Sequence, residues 1–235
     1  MRTWAGLALL TLAGTSSAQI FGVVPNAFAG VAGTGTFLYM VTTGRTYQHL
    51  MNGNQLGAFN GMLLNGIQWR LPMSATATWP PVDVSFANFD VYIGPGVAPS
   101  ARSTTFANNY SGPVTQVRSG PLTIPAGSFP ITGTPRDFGL QIEFDPYLYT
   151  GGHLTIEVRH TGMVGTTTTR SFDANTTSTA GYGTDYSALW TGSYTPVTGS
   201  AGNFFITRLR AVPEPGTLLA LGAGLGLLAA RRRRK

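Results

Sequence analysis

Five side chains that can carry protons fall within 18 residues of one another: Glu143, Asp145, His153, Glu157 and His160. Two carboxyl groups about 5 to 9 Å apart can act as acid and base on a glycosidic bond, so chemistry on a sugar would reside in this stretch. Elsewhere the means are sparse. His49 is the remaining histidine, and neither His-Glu-x-x-His nor Gly-x-Ser-x-Gly occurs, which disfavours the zinc-peptidase and nucleophile-elbow arrangements. Cysteine is absent, and with it go thiolate metal sites, cysteine nucleophiles and disulfide staples. Asp83, Asp90, Asp137, Asp145, Asp173 and Asp185 are dispersed among turn-forming residues. A calcium ion held by such aspartates and backbone carbonyls suits hard-oxygen coordination, although no Asp-x-Asp-x-Asp spacing supports it. No catalytic residue and no cofactor is assigned.

The elements that must position these groups are strands. Gly supplies 31 of 235 residues, and Gly or Pro recurs so often between Gln19 and Val212 that no run of ten good helix formers with a 3.6 period survives. Leu154, Ile156 and Val158 alternate with Thr155, Glu157 and Arg159, and Ile142 and Phe144 alternate with Gln141, Glu143 and Asp145. Each series reads as a strand with one face buried and one wet. Thr150-Gly151-Gly152 between them predicts a hairpin. That pairing sets Glu143, Asp145 and Glu157 on one polar face with Arg159, where ordinary cross-strand ion pairing competes with the catalytic reading.

Val82, Val84 and Phe86, followed by Phe89, Val91 and Ile93, switch the parity of the buried face near Ala87-Asn88, as a β-bulge would. Further strands are expected at 37–41, 46–50, 67–71, 114–117, 122–124 and 204–209. Residues 161–203, rich in Thr, Gly and Ser, read as long loops with a short strand or turn around Phe172 and Trp190. The sum is an all-β chain: a single jelly-roll-like β-sandwich over residues 19–211.

Aromatic rings in turn-rich surroundings can stack on the apolar face of a sugar. Tyr147 and Tyr149 flank Leu148, and Trp79, Tyr110, Tyr182, Tyr186, Trp190 and Tyr194 lie among Gly, Pro or Thr. Tyr147, Tyr149 and Trp190 are the expected carbohydrate contacts. Packing of loops onto the sandwich is the competing role for each ring.

The two ends of the chain are more specific. Arg2, an apolar stretch at 4–12 and Ser16-Ser17-Ala18 form a secretory signal peptide over residues 1–18, cut between Ala18 and Gln19 and routed through the Sec export machinery. At the other end stand Pro213-Glu214-Pro215, then 14 uncharged residues from Thr217 to Ala230, then Arg231, Arg232, Arg233, Arg234 and Lys235. The prolines keep the chain extended and open to a protease. As a helix, 14 residues reach about 21 Å, short of the roughly 30 Å hydrocarbon core, so the segment suits transient membrane retention. The basic run is held on the cytoplasmic side.

Motif, spacing and position, over residues 212–235, resemble the PEP-CTERM sorting signal of exported bacterial proteins. The resemblance implies that Pro213, Glu214 and Pro215 are recognised by exosortase, a membrane-embedded cysteine protease, while the apolar helix and basic tail hold the substrate in place. It further implies the envelope or extracellular matrix of a Gram-negative bacterium that produces polysaccharide and forms biofilm. It leaves the domain in front unassigned.

Removing these ends changes the electrostatics. The formal charge of +6 arises from 15 basic and 9 acidic residues, but Arg2, the tail cations and Glu214 belong to the sorting segments. Nine arginines against eight acids remain, which excludes a nucleic-acid-binding surface built on net charge. Two functions follow. One is a non-enzymatic surface or matrix protein associated with exopolysaccharide. The other is a secreted carbohydrate-binding module or weak glycosidase, favoured by a concave pocket holding Glu143 or Glu157 beside aromatics and opposed by a flat, ion-paired face.

Overall fold

The computed structural model describes residues 19–214. Residues 1–18, including Ala18, and the tail from Pro215 through Arg231–Lys235 lie outside the described residues, as does the expected apolar helix between them.

Antiparallel pairing throughout builds two main sheets. One has four strands in the order Ile20–Val24, Thr207–Pro213, Met62–Gln68 and Ile142–Tyr149. The other has six, in the order Ser200–Ala201, Tyr186–Thr191, Arg45–Met51, Leu154–His160, Phe89–Pro95 and Thr115–Arg118. Two smaller sheets of three strands complete the set: Met163–Val164 with Val84–Phe86 and Leu122–Ile124, and Phe204–Phe205 with Arg170–Asn175 and Gly35–Met40. Most long strands alternate between the two main sheets along the chain, so the connections cross a shared core. This is the all-β, jelly-roll-like sandwich expected.

The core is aromatic. Phe205 lies at its centre, with the rings of Phe37, Tyr39, Tyr47, His49, Trp69 and Phe172 at centroid distances of 4.3 to 5.8 Å. Fully burying a large apolar side chain contributes about 1.5–3 kcal/mol, and with no disulfide available this burial is the main source of stability. Trp69 donates its indole N–H to Thr207 Oγ1 at 3.2 Å, so its polar atom is satisfied inside the cluster.

Three expectations need correction. Ile142–Tyr149 and Leu154–His160 do not form a hairpin. The first pairs with Met62–Gln68, and the second lies between Arg45–Met51 and Phe89–Pro95 in the other sheet. Gly151 and Gly152 both have positive φ, 99° and 83°, as a two-residue hairpin turn also requires. The same glycines here turn a corner between sheets, braced by the Tyr149 hydroxyl donating to the Gly152 carbonyl at 2.6 Å. Similarly, the parity switch after Phe86 is no bulge within one strand. Val84–Phe86 and Phe89–Pro95 belong to different sheets; Val84, Phe86, Phe89, Val91 and Ile93 are buried as the pattern requires, whereas Val82 lies before the strand and is exposed. Finally, residues 161–203 hold two full strands, Arg170–Asn175 and Tyr186–Thr191. Phe172, Ala174, Tyr186, Ala188 and Leu189 anchor these in the core. Their apolar positions are too short and too interrupted by Thr and Ser to show a period of their own.

Candidate functional site

Leu154–His160 is a central strand, and its even-numbered residues Leu154, Ile156, Val158 and His160 enter the core. Its odd face, expected to be wet, is covered. The loops around residues 96–111 and 193–199 lie over it, tied to each other by Phe106 N–H donating to Val197 O at 3.1 Å and Gly199 N–H to Thr104 O at 2.9 Å. They are tied to the sheet by Thr155 Oγ1 donating to Asn109 O at 2.9 Å and Thr46 Oγ1 to Ser193 O at 2.7 Å. Thr155, Gln48, Asn109 and Glu157 are buried as a result.

Burying polar groups is costly unless they are hydrogen-bonded, and a chain of bonds meets that need. Ser103 N–H donates to Asn109 Oδ1 at 2.7 Å, Asn109 Nδ2 to Gln48 Oε1 at 2.7 Å, and Gln48 Nε2 to Glu157 Oε2 at 3.0 Å. Arg159 Nε donates to the other carboxylate oxygen of Glu157. The Arg159 guanidinium also lies 4.4 Å from the centre of the Tyr92 ring, a cation–π contact. Glu157 is 2% exposed and Arg159 26%, so the pair sits at the floor of an opening with the cation nearer the mouth.

That opening is a cavity of about 380 Å³, lined by Tyr92, Phe106, Tyr110, Gln116, Glu157 and Arg159 among others. Its volume is that of a small-ligand site, mostly apolar with a few convergent polar groups. The Tyr110 hydroxyl is buried and has no hydrogen-bond partner among the described residues. Burial, then the charge of Glu157, hold its pKa well above the ordinary tyrosine value, while the neighbouring Gln48 side chain, close to the hydroxyl but outside good hydrogen-bond geometry, pulls it down, so it is a neutral donor. Burial likewise pushes the Glu157 carboxyl up, while Arg159 and Gln48 pull it down. The other carboxylate on this face, Asp90, accepts from Gly120 N–H at 3.1 Å and from the Tyr194 hydroxyl. Burial and that bond to Asp90 raise Tyr194 to about 12.

The five groups clustered in the sequence are dispersed. Glu143, with its side chain 70% exposed, lies on the four-stranded sheet and meets Arg210 Nη2 at 3.1 Å across Gly66. Asp145 is exposed on the same strand. His153 accepts from Gly53 N–H through Nδ1 at 3.2 Å at the corner between sheets. His160 is in the core, where Nε2 donates to Tyr39 O at 3.0 Å and Nδ1 accepts from Gly162 N–H at 3.1 Å. Burial lowers its pKa to about 4, and that of His49 to about 3. Only Glu157 reaches the cavity.

The expected sugar contacts are likewise separated. Tyr149 is buried with its hydroxyl on Gly152, Tyr147 is half-buried beside it, and Trp190 packs edge-on to Phe37 at 5.3 Å with the Arg45 guanidinium 5.0 Å above it. The rings that line the cavity are Tyr92, Tyr110 and Phe106. Tyr110 stands among the turn-rich aromatics of the sequence. Tyr92 could have been found from parity, because it alternates with Val91 and Ile93 and must face outward with Asp90. The aspartates make local bonds: Asp173 receives Arg70 at 2.8 Å and Gly33 N–H, Asp83 receives Ala126 N–H at 2.8 Å, and Asp185 receives Asn54 at 2.8 Å. Among the described residues no three His, Asp or Glu side chains converge on a point that could hold a metal.

At the chain's exit, Thr207–Pro213 lies between Ile20–Val24 and Met62–Gln68, with Pro213 opposite Met62. Glu214 is exposed. The proline motif therefore begins at the last residue of a sheet strand with no linker between. Ile20 opposite Ala211 places Gln19 beside the same exit. Among the described residues no helix is long and apolar enough to cross a membrane.

Residues 211–235 match the family described as the PEP-CTERM protein-sorting motif. The chain thus carries the sorting signal of an exosortase substrate and is exported to the cell surface. No curated protein matches the sequence. A solved structure, the cysteine protease and lectin-like domains of Cwp84, a surface layer associated protein of Clostridium difficile, aligns at 12% identity and a TM-score of 0.33. That alignment covers 73% of this chain and 33% of that one.

Proposed function

We propose that the mature domain is a non-enzymatic carbohydrate-binding module, retained with extracellular polysaccharide at the envelope of a Gram-negative bacterium after exosortase releases it from a transient membrane tether. The observation that carries this reading is the cavity over Glu157, where the Arg159–Glu157 pair shares the wall with Tyr110, whose hydroxyl is buried and unpartnered behind it. Vicinal sugar hydroxyls can accept from a guanidinium and donate to its carboxylate partner, and the Tyr110 hydroxyl supplies a third bond. Charges at the pair cancel, which favours a neutral sugar. Phe106 and Tyr92 supply apolar wall for the sugar's C–H face.

Binding fits the groups better than hydrolysis. A glycosidase needs an acid and a second carboxylate free to act as base or nucleophile. Glu157 is committed to Arg159 and Gln48, and Asp90 to Gly120 and Tyr194.

A glycan array of neutral oligosaccharides, probed with the full chain and with Arg159→Gln, tests the reading. Binding of a neutral glycan that is lost in the variant is expected; binding unchanged by the substitution, or none, overturns it. Intact mass spectrometry of protein recovered from native cells tests the sorting. The expected product starts at Gln19, ends near Pro213–Pro215, and disappears when both prolines are replaced by alanine. A species keeping Arg231–Lys235 in the membrane fraction would leave the tail a plain anchor.

A further inference from the structure

A second cavity, of about 490 Å³, opens against the four-stranded sheet and is lined by Arg70, Arg136, Arg208, Asp137 and Phe138 among others. It is independent of the Glu157 cavity, which belongs to the six-stranded sheet. Three guanidinium groups meet here, and they are not equivalent. Arg70 is anchored by a carboxylate and two carbonyls: Nε donates to Asp173 at 2.8 Å, and Nη2 to Phe28 O at 3.1 Å and Val31 O at 2.5 Å. Arg208 is not. Its Nε donates to Gln68 Oε1 at 2.7 Å, but among the described residues neither Nη has a partner and no carboxylate lies within salt-bridge range. It is held between Phe21 at 5.1 Å and Phe138 at 4.5 Å. Arg136 directs its Nη atoms to Ile131 O, Met73 O and Ala75 O, yet its Nε is buried without a partner. The opposing charge is Asp137, whose Oδ2 accepts from Thr132 at 2.8 Å.

We propose that this cavity binds an acidic saccharide through its carboxylate, with Arg208 as the principal contact. A planar guanidinium whose outer amines are free presents the fork that a carboxylate fills with two hydrogen bonds. Burial lowers the pKa of Arg208, and Asp137 raises it; a bound anion offsets that desolvation. With Arg70 neutralised by Asp173, two arginines face one aspartate. The excess of one positive charge matches a carboxylate better than a phosphate monoester, which carries about −1.5 to −2. The cavity is also far larger than a lone anion requires and falls in the range of sites for small organic ligands, which leaves room for the sugar-sized body of the proposed ligand.

The test is calorimetric titration of the full chain carrying Arg159→Gln, which silences the neutral-sugar cavity, in non-ionic detergent with trigalacturonate, with its methyl ester and with inorganic phosphate. Trigalacturonate is expected to bind, more weakly as salt rises, and the uncharged ester is expected not to. Arg208→Gln should weaken binding at least tenfold. Asp137→Asn, which removes the repelling charge, should strengthen it several-fold, an outcome that misfolding cannot imitate. Equal binding of the ester, an unchanged affinity in Arg208→Gln, or binding of phosphate in place of the uronate would each overturn the proposal.

Discussion

The two faces of the strand Leu154–His160 are both buried, yet they are built on opposite terms. Inward, Ile156, Val158 and His160 join a closed aromatic core: both nitrogens of His160 are bonded to backbone, while the Tyr39 hydroxyl and His49 Nδ1 are sealed in without a partner among the described residues. Outward, Glu157, Gln48 and Asn109 form a bonded polar layer under loops, with the Tyr110 hydroxyl buried beside it and Arg159 partly exposed at the opening. An unpaired polar atom therefore does not separate the two sides; what separates them is the opening over Glu157 and Arg159, which the inner side lacks among the described residues and on which the proposed ligand role rests. Density of titratable residues along the chain does not make that distinction, since four of the five clustered groups lie elsewhere.

The strongest way to break this comparison is to damage the inner side alone. Phe205→Ala removes the ring that touches six aromatic neighbours and should cost about 3–5 kcal/mol in denaturant unfolding. Glycan affinity of the folded protein should be unchanged. A parallel fall in affinity would show that the cavity over Glu157 depends on the core packing beneath it.

Acid is the next largest probe, because the two sides respond with opposite sign. His49 and His160 have folded pKa values of about 3 and about 4, below the unfolded value near 6.5. The unfolded chain therefore binds more protons as pH falls. Their contribution is complete above pH 6.5 and is lost progressively toward pH 4 and then 3, about 2 kcal/mol for each histidine by pH 5. Protonated His160 would also turn Nδ1 into a donor facing the Gly162 N–H. On the outer side the Glu157 pKa is raised, chiefly by burial, so its folded form takes up a proton more readily than the unfolded chain, and stability gained as pH falls offsets part of the histidine loss. Asp173, also raised by burial, acts in the same direction. Denaturant unfolding at pH 7 and pH 5 should show a net fall, and a flat profile would mean that the histidines are not held neutral.

Much of the sandwich was legible because period-2 burial is a local property. Ile142, Phe144, Leu154, Ile156, Val158, Phe89, Val91 and Ile93 all face inward as their alternation requires. Pairing is not local. Gly151-Gly152 carries the same requirement for positive φ whether the chain folds back on itself or crosses to the other sheet, so in sequence the corner reads as a hairpin. The cavity was half legible: Glu157 and Tyr110 were singled out, but the loops that bury them, about 45 to 60 residues before Glu157 and 36 to 42 after it, could not be placed over that strand from spacing. Tyr92 was overlooked because the apolar positions beside it drew the reading toward the core.

A narrower probe acts on the outer side. Glu157→Gln keeps the shape but removes the charge facing Arg159, and losing charge-assisted hydrogen bonds should cost about 1–3 kcal/mol. Glycan binding in the array should disappear, because Arg159 loses the partner that fixes its guanidinium over Tyr92. If stability falls while binding persists, the pair is part of the scaffold and the ligand rests on Tyr110 and the apolar wall.

The smallest changes give the cleanest separation, because two tyrosines lose the same atom in different settings. Tyr149→Phe deletes a hydroxyl bonded to Gly152 O at 2.6 Å, at a cost of about 1 kcal/mol, and glycan affinity should not move although Tyr149 was an expected sugar contact. Tyr110→Phe deletes a buried hydroxyl that bonds to nothing among the described residues. Removing an unsatisfied buried donor should leave stability unchanged or raise it slightly, while glycan affinity falls. Opposite signs in the two readouts are what a hydroxyl reserved for a ligand produces. If Tyr110→Phe instead destabilises the protein and leaves binding intact, that hydroxyl is structural and the outer face is a second core.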